Sequence, residues 1–212
     1  LAPSEVPVED VRPEPPQTEE RRRELSKPTA TEKLAVGYHS PAIGDFDHPA
    51  LSLLSEVLFG GRASRMHQAL VRKLEIASEV RVFVGPFRDP GLTEIYASAR
   101  GTHTAETLLA EIDREIARVC EEAIPEAEIE RARARTELSL VAGLESADGK
   151  ASTIGFYDTI LGRPGAAFER LDELARVTAS DLRRVARRYL VPERRTVILV
   201  RAQTGEKKEA AE

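Results

Sequence analysis

His39, Asp45, Asp47 and His48 fall close together in the segment HSPAIGDFDH, and imidazoles beside carboxylates are side chains that can hold a divalent cation. In a loop such as this one, aspartates also close turns by accepting backbone N–H groups, so a loop without metal is the simpler expectation. His67, on an amphipathic stretch, and His103, at a helix start, suit surface or capping roles. Ser64 and Ser152 have no base in their sequence context, so a serine nucleophile is not supported. Cys120 is the single cysteine, which excludes an internal disulfide; it lies on an apolar stripe and is expected in the core. Arg131, Arg133 and Arg135, with Arg183, Arg184, Arg187 and Arg188, would suit a polyanion. Interspersed Glu128, Glu130, Glu137 and Asp181 instead predict solvated or ion-paired helix faces.

These groups must be positioned by 212 residues, 41% of them hydrophobic, enough for one sizeable core and hardly two. Lysine and arginine number 31 against 36 acidic residues, and a net charge of -5 gives no electrostatic footprint for nucleic acid and no pull toward an anionic membrane. A protein or peptide partner is expected. No apolar run approaches the ~20 residues that span a bilayer. The chain begins at Leu1 and shows no signal-peptide core, so it is expected to be a piece of something longer; the compartment stays undetermined. LAPSEVPVEDVRPEPPQTEE carries five prolines and six acidic groups against one arginine, which reads as a linker over residues 1–19. The domain is expected over 20–203, followed by a charged, aperiodic tail at 204–212.

Within the domain, RRRELSK and EKLAVGYH read as two strands parted by the turn residues Pro28 and Thr29. HPALSLLSEVLFGG predicts a helix over 48–59 that opens at a proline and stops at Gly60 and Gly61. SRMHQALVRKL predicts another over 64–74, with Met66, Ala69, Leu70 and Leu74 on one stripe. SEVRVFVG and LTEIYASAR alternate with period two and are joined by PFRDPG, a hairpin-like pair. Helices follow over 103–122, with Leu108, Leu109, Ile112, Ile116, Val119 and Cys120 on its apolar stripe, and over 125–144, where Ile129, Ala132, Thr136, Leu140 and Leu144 share a side. A further helix is expected over 147–161. Thr178 and Asp181 make a capping box with Asp for the usual Glu, at the start of SDLRRVARRYL. TVILV reads as a last, fully buried strand. The order β-β-α-α-β-β-α-α-α-α-β predicts an α+β domain, an antiparallel β-sheet covered by helices.

The helix at 48–59 has the setting of a functional element and no obvious catalytic group. The ordered set "GYHSPA…D…HPALSLLSEVLFGGRASRMHQALVRK", "FRDPGLTEIYASAR" and "VTASDLRRVARRYLVPERRTVILV" resembles the C-terminal half of bacterial zinc peptidases of the pitrilysin/insulinase family, relatives of the mitochondrial processing peptidase. The resemblance covers about residues 20–201, and the acidic Pro-rich stretch before it is similar to the linker joining the two halves there. It implies two similar α+β halves closing around a peptide chamber, one of them carrying the zinc motif H-x-x-E-H. Aligned on Leu58 and Phe59, the first ligand falls on Ser52, the general base on Ser55 and the second ligand on Glu56. Two hydroxyls and a carboxylate do not supply the imidazoles of a catalytic zinc site, so the helix reads as the remnant of one. The same resemblance implies no catalytic and no metal residue in this chain, zinc in the partner half, and as partners a zinc-bearing N-terminal half or homologous subunit and a peptide or unfolded polypeptide.

In many relatives the C-terminal half also contributes an arginine and, seven positions on, a tyrosine that hold the peptide backbone and the developing oxyanion. In VRKLEIASEV that pair falls on Val71 and Ser78; a shift of one brings in Arg72 but leaves Glu79 at the tyrosine position. Arg72 and Ser78 are therefore the candidate peptide contacts, with pairing of Arg72 to Glu75 or Glu79 as the alternative. A missing oxyanion donor costs on the order of 10²–10³ in rate, which implies a slow peptidase, one with another donor, or a peptide-binding or assembly module without proteolytic activity.

Overall fold

A computed structural model describes residues 15–203; residues 1–14 of the expected linker and the tail at 204–212 lie outside the described residues. Period-two segments become five strands: β1 (Arg21–Lys27), β2 (Lys33–Ser40), β3 (Ala77–Val84), β4 (Gly91–Ala99) and β5 (Arg195–Ala202). Their order in the sheet is β1-β5-β2-β4-β3. Three pairings are antiparallel, as the α+β expectation has it, but β1 runs parallel to β5, with Arg21 opposite Thr196. The sheet is thus mixed at one edge. β5 enters between β1 and β2, which are neighbours in sequence, and the Lys27 carbonyl holds the crossover by accepting the Thr29 and Gln203 amides at 2.8 and 2.9 Å.

The strands show which face is covered. On β2, Leu34, Val36 and Tyr38 are buried while Ala35 and Gly37 are half-buried, and on β4 Thr93, Ile95, Ala97 and Ala99 alternate with half-buried neighbours. β5 follows the same rule and is not fully buried: Arg195, Val197 and Leu199 point into the core, Thr196, Ile198 and Val200 away from it. An apolar run cannot show in sequence that only one face of its sheet is packed.

The helices pack on that one face. α1 (His48–Phe59) is apolar all round and correspondingly central, with Leu51, Leu53, Leu54 and Leu58 fully buried. α2 (Ala105–Glu121) turns its expected stripe inward, is capped by Thr104, and takes a second cap from the Glu32 carboxylate, which accepts the Ala105 amide at 2.8 Å. Cys120 sits at the edge of that stripe, half-buried, and burial raises its thiol pKa. α3 (Glu126–Gly143) buries Ile129 and Ala132 only; its second half leaves the core, with Leu138 and Val141 exposed. α4 (Ala147–Leu161) buries no residue fully. α5 (Ala166–Arg176) is a helix beyond the expected order; the period at Ala167, Leu171 and Leu174 belongs to it. α6 (Ala179–Tyr189) starts with the expected capping box, Thr178 Oγ1 accepting the Asp181 amide at 3.3 Å and Asp181 Oδ2 accepting the Thr178 amide at 3.0 Å.

The stretch expected as an α-helix over 64–74 differs. Only its first residues are α-helical, and His67–Lys73 is π-helical, the Leu74 amide donating to the Ala69 carbonyl at 3.0 Å and the Ile76 amide to the Leu70 carbonyl at 2.9 Å. The widened turn closes on Glu75 at φ 54°, and Ile76 and Ala77 enter the core directly after it. Left-handed backbone is costly for a residue with a Cβ, and the Glu75–Arg100 pair at 3.6 Å is too exposed to offset this. Glu75→Gly is expected to stabilise the chain by about 0.5–1 kcal/mol. Urea unfolding checks this, and a destabilised variant would refute it.

Candidate functional site

α1 carries Ser52, Ser55 and Glu56, the positions that the resemblance aligns with the zinc motif. Ser52 Oγ lies 3.2 Å from His48 Nδ1, one turn earlier. Ser55 is buried in the core. The Glu56 carboxylate accepts a short hydrogen bond from Arg135 Nε of α3. The glycine pair that ends the helix makes this possible: a Cβ on Gly60 would stand 2.0 Å from Glu56 Oε1, and one on Gly61, at φ 73°, 3.0 Å from Arg135 Nη1. The Glu56–Arg135 bridge lies over the helix end in the space that these two glycines leave open. Nor do Ser52 and His48 form a nucleophile and its base. Arg170 of α5 donates to the same Nδ1, and the imidazole pKa is pushed down to about 4, first by burial and then by the Arg170 charge.

The four residues of the loop before α1 diverge. His39 Nε2 meets Gln17 Oε1 at 3.3 Å, Asp45 closes a turn by accepting the Ala42 amide at 3.0 Å, and His48 faces Arg170. Asp47 has the strongest role. Its carboxylate is 5% exposed and accepts from Arg184, from Arg188 at 2.9 Å and from the Tyr189 hydroxyl at 2.9 Å, so the start of α1 is pinned to the end of α6. Burial pushes the Asp47 pKa up, but the Arg184 and Tyr189 hydrogen bonds and the two arginine charges overrule it, and the net shift is downward. Among the described residues no three His, Cys, Asp or Glu side chains are grouped to hold a metal ion.

Six of the seven arginines read as possible polyanion contacts, all but Arg183, serve the fold. Arg133 donates to the Leu174 and Val177 carbonyls at the end of α5, Arg187 to the Cys120 carbonyl near the end of α2, and Arg131 to the Ala63 carbonyl. Ser64 Oγ donates to the Gly61 carbonyl at 2.8 Å inside its turn; Ser152 and His103 are exposed and His67 is half-buried. One group escaped the sequence reading. Arg195, 5% exposed on β5, joins Asp113 of α2, Glu20 at 2.7 Å and the Tyr38 hydroxyl at 3.1 Å, while its carbonyl accepts the buried Gln17 side chain at 2.6 Å. Its place directly before the apolar run TVILV was its only signal.

Of the peptide-contact candidates, Val71 packs half-buried against the core, and Ser78 is exposed at a β-bulge, its Oγ donating to the Ser98 carbonyl at 3.2 Å. Arg72 is exposed. Glu75 pairs with Arg100 and Glu79 with Arg81, each at 3.6 Å, so the alternative pairing of Arg72 is not the one formed. The concave surface nearest these residues is on the open face of the sheet, a cleft of about 230 Å³ lined by Lys33, Ala35, Glu79, Arg81, Tyr96 and Ser98. The Arg81 guanidinium stacks over the Tyr96 ring, 5.4 Å from its centroid.

Comparison with known proteins matches this arrangement. The chain is 30% identical over 166 residues to an uncharacterized zinc protease of Streptomyces coelicolor, covering 78% of this chain and 36% of the relative. It is 32% identical over 165 residues to an uncharacterized zinc protease of Rickettsia bellii, covering 77% and 40%. It therefore spans well under half of either relative. A protease from Helicobacter pylori superimposes with a TM-score of 0.83 at 24% identity, over 88% of this chain and 45% of that one. An inactive peptidase domain from Bordetella parapertussis gives 0.76 at 21% identity, over 88% of this chain and 99% of that one. Residues 2–136 match the family model described as the peptidase M16 inactive domain, and by that match, with zinc proteases among its sequence relatives, the chain belongs to this family.

Proposed function

We propose that this chain is the non-catalytic C-terminal half of a zinc endopeptidase, forming one wall of a peptide chamber and pairing with a zinc-bearing N-terminal half. The observation that supports this is α1, the helix that the resemblance aligns with the motif helix: it packs centrally in the core, Ser52 engages His48, Ser55 is buried and Glu56 is bridged to Arg135. Such positions have no imidazole to offer, so the metal and the general base belong to the other half. The relatives' greater length leaves room for that half. Val71 and Ser78 supply neither an arginine nor a phenol, and any oxyanion donor has to come from elsewhere.

Co-expression with a zinc-bearing half as a separate chain tests the proposal, because mating surfaces and not the tether carry the association; a linker only raises effective concentration. The two chains are expected to co-elute on size exclusion. Tightly held zinc and cleavage of an unstructured peptide are expected in the complex and not with this chain alone. Two independent monomer peaks would sink the pairing. Stoichiometric zinc held by this chain alone, and lost on His39→Ala or His48→Ala, would overturn the assignment of α1 and revive a metal site in the loop.

A further inference from the structure

The open face of the sheet has its own charge pattern. In register, one row runs Arg23, Ile198, Ala35, Tyr96, Arg81, from one edge strand to the other. Its middle is apolar and low, and its two ends are cationic. The neighbouring rows add Arg21, Lys27 and Lys33, so the strand residues of this face hold five cations against two carboxylates, Glu79 and Glu94, although the chain as a whole carries a net charge of -5. Among the described residues Arg23 and Lys33 have no carboxylate within ion-pair distance, and Arg81 has only the exposed Glu79 at 3.6 Å. The floor, Ile198, Ala35 and Tyr96, is half-buried, and the cleft of about 230 Å³ opens beside Lys33, Arg81 and Tyr96.

We infer that this face binds an extended, acidic polypeptide segment lying across the strands, its carboxylates directed at Arg23 at one edge, at Arg81 at the other and at Lys33 on the central strand. The inference rests on the reading of the chain as a chamber wall and adds the class of peptide the wall prefers. Five strands at about 4.8 Å spacing put the edges roughly 19 Å apart. An extended chain covers that distance in about six residues, so acidic groups about six positions apart meet both cationic ends. Ile198, Ala35 and the Tyr96 ring lie under the segment between them and receive its apolar side chains. A nucleic acid fits less well, because Glu79 and Glu94 lie among the cations and a phosphate backbone would meet them at every pass.

The test uses the full 212-residue chain and three fluorescently labelled, unstructured twelve-residue peptides that differ only in charge, carrying glutamate, glutamine or lysine at the same positions. At low salt the glutamate peptide is expected to bind at least about tenfold more tightly than the lysine peptide, and to weaken as salt rises. Lys33→Glu and Arg81→Glu, both on exposed side chains, are each expected to weaken it by about three- to tenfold, with circular dichroism confirming that the variants fold. Equal binding of all three peptides would overturn the charge preference and leave the chamber wall standing. Unchanged affinity in both variants would overturn the placement on this face. A single-stranded oligonucleotide that displaces the glutamate peptide at lower concentration than unlabelled peptide does would overturn the choice of partner. If no peptide of any charge binds, the chamber-wall reading falls with the inference.

Discussion

Asp47→Ala is expected to destabilise the chain by about 3 kcal/mol, enough to lower the melting temperature by roughly 6–12 °C in a domain of this size. The carboxylate is 5% exposed and accepts three hydrogen bonds from α6, so its removal leaves Arg184 and Arg188 side by side without their anion and the Tyr189 hydroxyl without its acceptor. Breaking a fully buried pair costs about 3–5 kcal/mol. The lower end applies because the arginine side chains are 39% and 62% exposed and recover some hydration. Asp47→Asn keeps an acceptor and loses the charge, and about 2 kcal/mol is expected. Asp45→Ala, which removes a single exposed turn bond, is the control and should cost less than about 1 kcal/mol. Urea unfolding of the three variants decides the matter: an Asp47→Ala effect no larger than that of Asp45→Ala would show that the pin contributes nothing.

The second large effect depends on pH. His48 is 3% exposed, and its pKa of about 4 lies below the ordinary 6.5 because burial and then Arg170 oppose the imidazolium; the Gly85 carbonyl and Asp45 favour it less strongly. Between these values the unfolded chain holds a proton that the folded chain does not, so stability rises with pH. The contribution is fully present above about 6.5 and is lost as pH falls toward about 4, a change on the order of 3 kcal/mol. Asp47 acts in a separate window: its lowered pKa makes its contribution fall away only below the ordinary carboxylate value of 3.8. Chemical denaturation at intervals from pH 7.5 to pH 4 should show the loss, and His48→Gln, which keeps an acceptor for Arg170, should flatten it. An identical slope in the variant, or a His48 imidazole that titrates near 6.5 by NMR, would contradict the account.

Both expectations concern the loop and first turn of α1, where sequence and structure divide most clearly. The helix itself was legible, because Leu51, Leu54 and Leu58 need a core on more than one side and the Gly60–Gly61 pair stops the run. So were the alternation of β4, the stripe of α2 and the capping box at Thr178, all signals carried within a few residues of chain. That Ser52, Ser55 and Glu56 bring no imidazole could be read without any structure, since it depends on residue type alone.

Pairing at long range could not be read in this way. Arg184 and Arg188 lie 137 and 141 residues from Asp47, and nothing local says which of many arginines will reach a given carboxylate. The widened turn ending at Glu75 and the insertion of β5 between β1 and β2 are likewise answers to how the whole core closes, not to any local preference. The charge of the open face is the plainest case. Composition made the chain acidic and pointed away from anionic partners, whereas the sheet gathers Arg21, Arg23, Lys27, Lys33 and Arg81 onto one face from three strands, the last of them some fifty residues further along the chain. Net charge is a sum over residues and is settled by the sequence; the sign of a surface depends on which side chains share a face, and only the registers of the folded sheet decide that.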